Sequence, residues 1–243
     1  MAVLYLFRYN SDMLSIPVYV EVSDKYLWTL GPFCHLFNTF WSELQPVTIY
    51  GFTKPSIHIP PNFTFHQVSK TPYPANKWSD ALIEFLQNKE DELFVFLLCD
   101  YWLSRTVDHR GVMACADYMS NKPEVLRTDL TSDRLYAGGM FDVESWGCYD
   151  IIETPHNTPY QMSLQAGIWR KSRMLELIHT GMTAWEVEVQ IQPPQEMRVL
   201  GTRQYPVRYA NGILKGKIDQ NQISTLPDGH RQYVSNMIPK EWQ

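Results

Sequence analysis

Leu93-Phe94-Val95-Phe96-Leu97-Leu98 is an unbroken apolar run that leads directly into Cys99-Asp100-Tyr101-Trp102. A run of this length reads as a strand buried on both faces, as in a parallel sheet covered by helices. Ligands of open α/β sheets bind outside the carboxyl ends of such strands, and Asp100 falls at that end. A carboxylate there is suited to holding a divalent metal against a diphosphate. Its other reading is a cap for the next turn.

The flanking segments extend the pattern. Ile16 to Val22 is strand-like, with Val18, Val20 and Val22 alternating after Pro17, and it ends in the polar turn Ser23-Asp24-Lys25. Leu36, Phe37, Phe40 and Trp41 have helical spacing, which predicts a helix starting after Gly31-Pro32. Val47 to Tyr50 is a second strand closed by Gly51, and a short strand is expected near Phe63 to Gln67 within a Pro- and Asn-rich loop. Further helices are expected over 78–87, with Ser79 as N-cap, over 107–119, and over 163–179 with Gly181 as C-cap. Between them, 125–152 reads as short strands turning at Gly138-Gly139 and Trp146-Gly147, while Trp185 to Ile191 suits helix or strand. The succession predicts an α/β fold with a mostly parallel, right-handed central sheet flanked by helices. Residues 1–195 form its domain, and 196–243 form an irregular extension packed over the site.

The bulk numbers bound the function. The 243 residues are ample for one large core. The net charge of −5 is uneven: residues 1–160 hold 19 acidic against 11 basic residues, whereas 161–243 hold 7 against 10. An anionic ligand is therefore expected to meet the C-terminal third. The four cysteines (34, 99, 115, 148) form no C-x-x-C pair, so neither a zinc knuckle nor a redox motif is indicated. Met1 to Phe7 is apolar but cut by Arg8, lacks the basic start of a signal peptide, and no run approaches a bilayer span, so a cytoplasmic protein is expected. G-x-G-x-x-G, G-x-x-x-x-G-K, G-x-S-x-G and H-E-x-x-H are all absent, which argues against dinucleotide, P-loop, serine-hydrolase and zinc chemistry.

Three segments remain: Asp100-Tyr101-Trp102 at the strand end, Leu164-Gln165 through Trp169, and Trp185-Glu186-Val187-Glu188. In this order they resemble the GT-A class of nucleotide-sugar glycosyltransferases, in particular bacterial polysaccharide-type and phage enzymes. There, a strand ends in an acidic motif, a Leu-Gln-x-x-x-Trp helix follows, and a Trp-Glu-x-Glu segment closes the site. Val20 to Tyr26 is similar to the first strand and nucleotide-binding turn of that class. The resemblance covers residues 16–190. It implies transfer of a sugar from a UDP-sugar to a hydroxyl of a glycan, a small molecule or a hydroxymethylated DNA base, which would have to be flipped out of its duplex. It further implies nucleotide contacts from Asp24, Lys25, Asp100 and Tyr101, with Mn or Mg at Asp100. Glu188 or Glu186 would be the general base, Glu188 preferred. An extended segment would point these two glutamates to opposite faces; their other reading is a surface pair near a helix start. The class has paired acids where this chain has Cys99-Asp100, so the metal is expected to be loosely bound or absent. The alternative is a non-catalytic carbohydrate- or nucleotide-binding module on the same fold.

Two features carry less weight. Gln165 and Trp169 would share a helix face, with Trp169 in the core or serving as a sugar platform. Arg170, Lys171 and Arg173 form a basic cluster that is either a solvated face or a phosphate contact.

Overall fold

The computed structural model describes residues 16–242, so the Met1–Phe7 segment lies outside the described residues. In chain order the elements are β1 (Val18–Glu21), α1 (Leu30–Phe37), β2 (Val47–Gly51), β3 (Phe63–Gln67), α2 (Trp78–Gln87), β4 (Leu93–Leu98), β5 (Tyr101–Leu103), α3 (His109–Asn121), β6 (Val125–Asp129), β7 (Phe141–Trp146) and β8 (Tyr149–Glu153). Then follow β9 (Gly167–Arg170), α4 (Lys171–Leu177), α5 (Ala184–Gln190), β10 (Arg198–Thr202), β11 (Tyr209–Asn211), β12 (Ile213–Leu214), β13 (Lys217–Ile218), α6 (Gln220–Ser224) and α7 (Asp228–Met237).

Among the described residues, nine strands form one sheet in the order β3-β2-β1-β4-β9-β6-β10-β8-β7. Only β8 and β9 run against the rest. The sheet is thus mostly parallel within an α/β fold, with β4 in its interior beside the central strand β9. Alternation along β4 divides the core: Val95 and Leu97 join the cluster under α1 and α3, while Phe94 and Phe96 join the one under α2, α4 and α5. All four side chains are fully buried, as a strand covered on both faces requires.

Three expectations are corrected. The helix expected over 163–179 is strand β9 followed by the short α4. Residues 167–170 fill the slot between the parallel strands β4 and β6, and sheet pairing overrides their helix-compatible spacing. A Cβ on Gly167 would lie 3.1 Å from Arg127 Nε and 3.2 Å from the Thr128 carbonyl, so glycine permits the close approach of β9 to β6. Gln165 and Trp169 therefore share no helix face, and Trp169 is a fully buried core residue. Second, Ser79 is not the cap of α2, whose N-cap is Lys77. Its backbone N–H donates to the Met182 carbonyl and its Oγ accepts from Met182 N, each at 3.0 Å, tying α2 to the loop before α5. Third, the expected boundary at residue 195 crosses the sheet, because β10 lies between β6 and β8. Beyond β10 the chain does pack on the same body: β11 pairs with β5, and α7 lies on α1.

The basic cluster also disperses. Arg170 is buried and donates to the carbonyls of Met119 and Lys122 at the end of α3 and of Val125 at the start of β6, and Arg173 pairs with Glu176. No helix among the described residues is long and apolar enough to cross a membrane.

Candidate active site

Strand direction gathers one edge. Because β1, β4 and β6 point the same way and β9 runs against them, Glu21, Asp100, Asp129 and the Gln165 segment before β9 all come to the carboxyl end of the sheet. This is the edge where α/β sheets bind ligands.

Asp100 follows β4 by two residues, and the adjacent strand β1 brings a second acid beside it. Glu21 ends β1 in register with Leu98, and its carbonyl accepts from Cys99 N at 3.1 Å. Desolvation raises the Glu21 carboxyl to about 8. The nearby Asp100 charge adds to the rise, and a hydrogen bond from Trp78 opposes it. Burial likewise lifts Asp100 to about 6, against a backbone hydrogen bond that favours its anion. The second acid missing beside Asp100 in sequence is therefore supplied by the adjacent strand. Strand parity was the available signal, since Glu21 falls on the face opposite Val20 and Val22, together with Tyr19, at the carboxyl end of β1.

This pair has a pH consequence. The unfolded Glu21 carboxyl releases its proton near its ordinary 4.5, and the folded one near 8. The stability contributed by the protonated form is thus complete below about pH 4.5 and is lost as pH rises through 8. Glu21→Gln should flatten that decline. The difference should reach roughly 2 kcal/mol at alkaline pH, once solvent screening of this partly exposed group is allowed for. Urea unfolding at several pH values measures it, and parallel curves for the two proteins would refute it.

The segment after β10 closes over Asp100. Gly212 N donates to the Asp100 carbonyl at 2.9 Å, and a Cβ on Gly212 would come within 2.6 Å of the Trp102 ring. With the Asn211 amide oriented to satisfy both neighbours, its nitrogen donates to Asp100 Oδ2 at 3.1 Å and to the Ile213 carbonyl at 2.8 Å. Tyr101 stacks on Tyr209 with ring centroids 4.2 Å apart. Tyr209 Oη donates to Gln165 Oε1 at 2.9 Å.

Below these rings lies a charged network. Asp129 Oδ1 accepts from both N and Oγ1 of Thr131 at 2.7 Å, and Oδ2 accepts from Arg127 Nη2 at 3.2 Å. Arg134 Nε stands 3.8 Å from Asp129, and its Nη2 donates to Asp133 at 2.7 Å. Arg127 also donates to the Gln165 carbonyl at 3.1 Å and lies over the Trp169 ring. None of Arg127, Asp129, Asp133 or Arg134 stands out in the sequence, because an Arg-x-Asp alternation in a strand resembles a solvated face.

The two glutamates of the Trp-Glu-Val-Glu segment part company. The segment is helical, as α5, and two residues advance a helix by about 200°, so the side chains diverge as they would in a strand. Glu186 forms a capping box with Thr183, accepting from Thr183 N at 2.8 Å, and these bonds hold its carboxyl below the ordinary value. Glu188 turns inward. Its Oε1 accepts from Leu164 N at 2.7 Å, and burial raises its pKa against that bond and the Arg127 charge. Burial raises the Tyr101 hydroxyl well above its ordinary value, and the charges of Tyr209, Asp100 and Glu188 add to the rise.

At the turn after β1, Asp24 accepts from Thr53 N at 3.0 Å and Thr53 Oγ1 at 2.7 Å, which joins this turn to the loop after β2. Lys25 is exposed and lies over the rings of Tyr26 and Trp242. A cavity of about 340 Å³ opens beside the edge, walled by Thr131, Gln165, Tyr209, Asn211 and the segment from Tyr205 to Gln222. Of the C-terminal cations, Arg198 pairs with Glu153 and Arg203 with Asp142, so the basic third offers less free charge than its composition suggests.

A divalent cation at Asp100 meets a poor donor set. Asn211 occupies Oδ2, burial favours the protonated acid, and no group of three His, Cys, Asp or Glu converges among the described residues. The residues present do not fit a resident metal.

No family model matches the chain, and no curated protein sequence does either. Among solved structures, one similar chain is a cytidylyltransferase from Leptospira borgpetersenii serovar Hardjo-bovis, at 8% identity and TM-score 0.38, covering 72% of this chain and 68% of that one. Another is a CMP:2-keto-3-deoxy-manno-octonic acid synthetase complexed with CTP, at 10% identity and TM-score 0.42, covering 92% of this chain and 100% of that one. Likeness this distant carries no weight for function.

Proposed function

We propose that this chain is a nucleotide-sugar glycosyltransferase of the GT-A type, moving a sugar from a UDP-sugar to an acceptor hydroxyl. The observation that carries the reading is two acids joined to the wall of one cavity at the carboxyl edge: Asn211, in that wall, donates to Asp100, and Glu188 accepts from Leu164 N, next in the chain to the wall residue Gln165. In the step proposed, the acceptor oxygen forms a bond to the anomeric carbon while the bond from that carbon to the diphosphate oxygen breaks. The diphosphate leaves with the electron pair, and the acceptor proton passes to Glu188. A carboxylate with a raised pKa is the stronger base, which suits Glu188 to that role. Lys25, exposed on the turn after β1, is the cation offered to the departing diphosphate. Burial keeps the Glu21 carboxyl largely protonated at neutral pH, so it adds little negative charge beside Asp100 at this edge.

The test is release of UDP from a panel of UDP-sugars, with and without added Mn. Turnover is expected, and Asp100→Ala should reduce it at least tenfold with the melting temperature retained. UDP binding without release would favour a non-catalytic binding module, a reading supported by the neutral Cys99 beside a carboxyl that burial keeps partly protonated. Failure to bind UDP at all would sink both.

A further inference from the structure

Two guanidiniums approach Tyr205. Arg105 lies 5.1 Å and Arg208 5.2 Å from its ring centroid. Arg105 Nη2 donates to the Tyr205 carbonyl at 2.9 Å, and Arg208 Nη2 donates to its hydroxyl at 3.1 Å. The sheet makes the arrangement: Leu103 of β5 pairs with Tyr209 of β11, and Ser104 N donates to the Arg208 carbonyl, so the chain after β5 and the chain before β11 meet at this ring. Tyr205 takes φ 32°, a conformation a non-glycine residue holds only when its surroundings impose it.

Neither arginine has a carboxylate partner among the described residues, whereas Arg198, Arg203 and Arg231 each do. Tyr205 and Arg208 line the cavity at the catalytic edge. The carboxylate in that lining, Asp219, is committed to the N-terminus of α6, accepting from Asn221 N at 3.0 Å and Gln222 N at 3.3 Å. Two like charges on one ring are only partly compensated by its quadrupole, and guanidinium forks are suited to binding an oxyanion through paired hydrogen bonds. Their place also matters. Val207 N bonds to the Leu130 carbonyl, which puts this segment over the end of β6. That is three strand spacings, about 14 Å, from β1 and its nucleotide-binding turn. An anion here belongs to the acceptor side.

We propose that Arg105 and Arg208 form an oxyanion subsite for an acceptor bearing an acidic group, a carboxylate or a phosphate. The acceptor class thereby narrows from hydroxyl compounds in general to those that carry an acidic group. This rests on the transferase reading for its meaning, although the binding itself can be measured alone.

The experiment is calorimetric titration of the full chain with glucose, glucuronate and glucose 6-phosphate, repeated on Arg105→Gln, Arg208→Gln and the double variant. The acidic sugars should bind at least tenfold more tightly than glucose. Each single variant should lose threefold or more of that preference, and the double variant all of it, at unchanged melting temperature. Arg208→Lys should recover part of the preference and so separate charge from packing. Tight binding of glucose 6-phosphate alone identifies a phosphate acceptor, and of both acids a site that reads charge. Equal binding of all three sugars, or a preference that survives the double variant, overturns the subsite. Absence of UDP release in the wild-type protein would overturn the transferase reading and leave this titration valid.

Discussion

Glu188→Gln is expected to slow sugar transfer by roughly 10²- to 10⁴-fold, the range a positioned general base contributes. The substitution keeps the shape of the side chain and its ability to accept from Leu164 N, the bond that orients it. What it removes is the capacity to take a proton. Donor affinity should therefore persist, and the loss should fall on kcat with little change in KM. The pH profile gives an independent check. Burial raises the Glu188 pKa, so wild-type kcat/KM should climb as pH rises through that displaced value, and the variant should lack this limb. Glu186→Gln is the matched control, because its carboxylate is engaged with Thr183 at the start of α5. A Glu188→Gln enzyme with more than a tenth of wild-type turnover, or a Glu186→Gln enzyme equally impaired, would assign the base elsewhere.

The parts of this site differ in how far the sequence disclosed them, and the reasons are physical. The place of Asp100 at the carboxyl end of β4 is legible because hydrophobicity declares a buried strand and the chain direction declares its end. That one of the two glutamates turns inward is legible, but the two-residue offset does not say which one, since it separates their side chains in a helix and in a strand alike. The capping box that commits Glu186 is itself written as Thr183-x-x-Glu186, a pattern that distinguishes the pair without any structure. Glu21 was hidden because its significance comes from pairing with β4, a contact between residues far apart in sequence. The same holds for β9. Its residues suit a helix, and only the gap between β4 and β6, with Gly167 small enough to enter it, makes them a strand. Arg105 and Arg208 are brought to one ring by the β5–β11 pairing, which no local periodicity announces.

Asp129→Asn should cost about 3–5 kcal/mol of stability, the range found when one partner of a buried ion pair is removed. The Asp129 and Arg127 side chains are fully buried, and Arg134 is 1% exposed. One carboxylate thus balances two guanidiniums that have almost no water to turn to. Asp133 shares the burden of Arg134 but is itself 24% exposed, so it cannot replace the lost charge at Arg127. The amide that the substitution introduces would moreover turn a donor toward either the Thr131 donors or the guanidiniums, so one set of hydrogen bonds is lost with the charge. Arg127→Met should be milder, because Asp129 would retain two hydrogen bonds from Thr131 and the charge of Arg134. Combining the two changes should recover part of the Asp129→Asn loss, since the uncompensated cation goes with Arg127. Urea midpoints at constant m-value provide the comparison. An Asp129→Asn protein within about 1 kcal/mol of wild type would mean that water reaches the end of β6, and the floor beneath Tyr101 and Tyr209 would then be wet rather than a fixed support for the site.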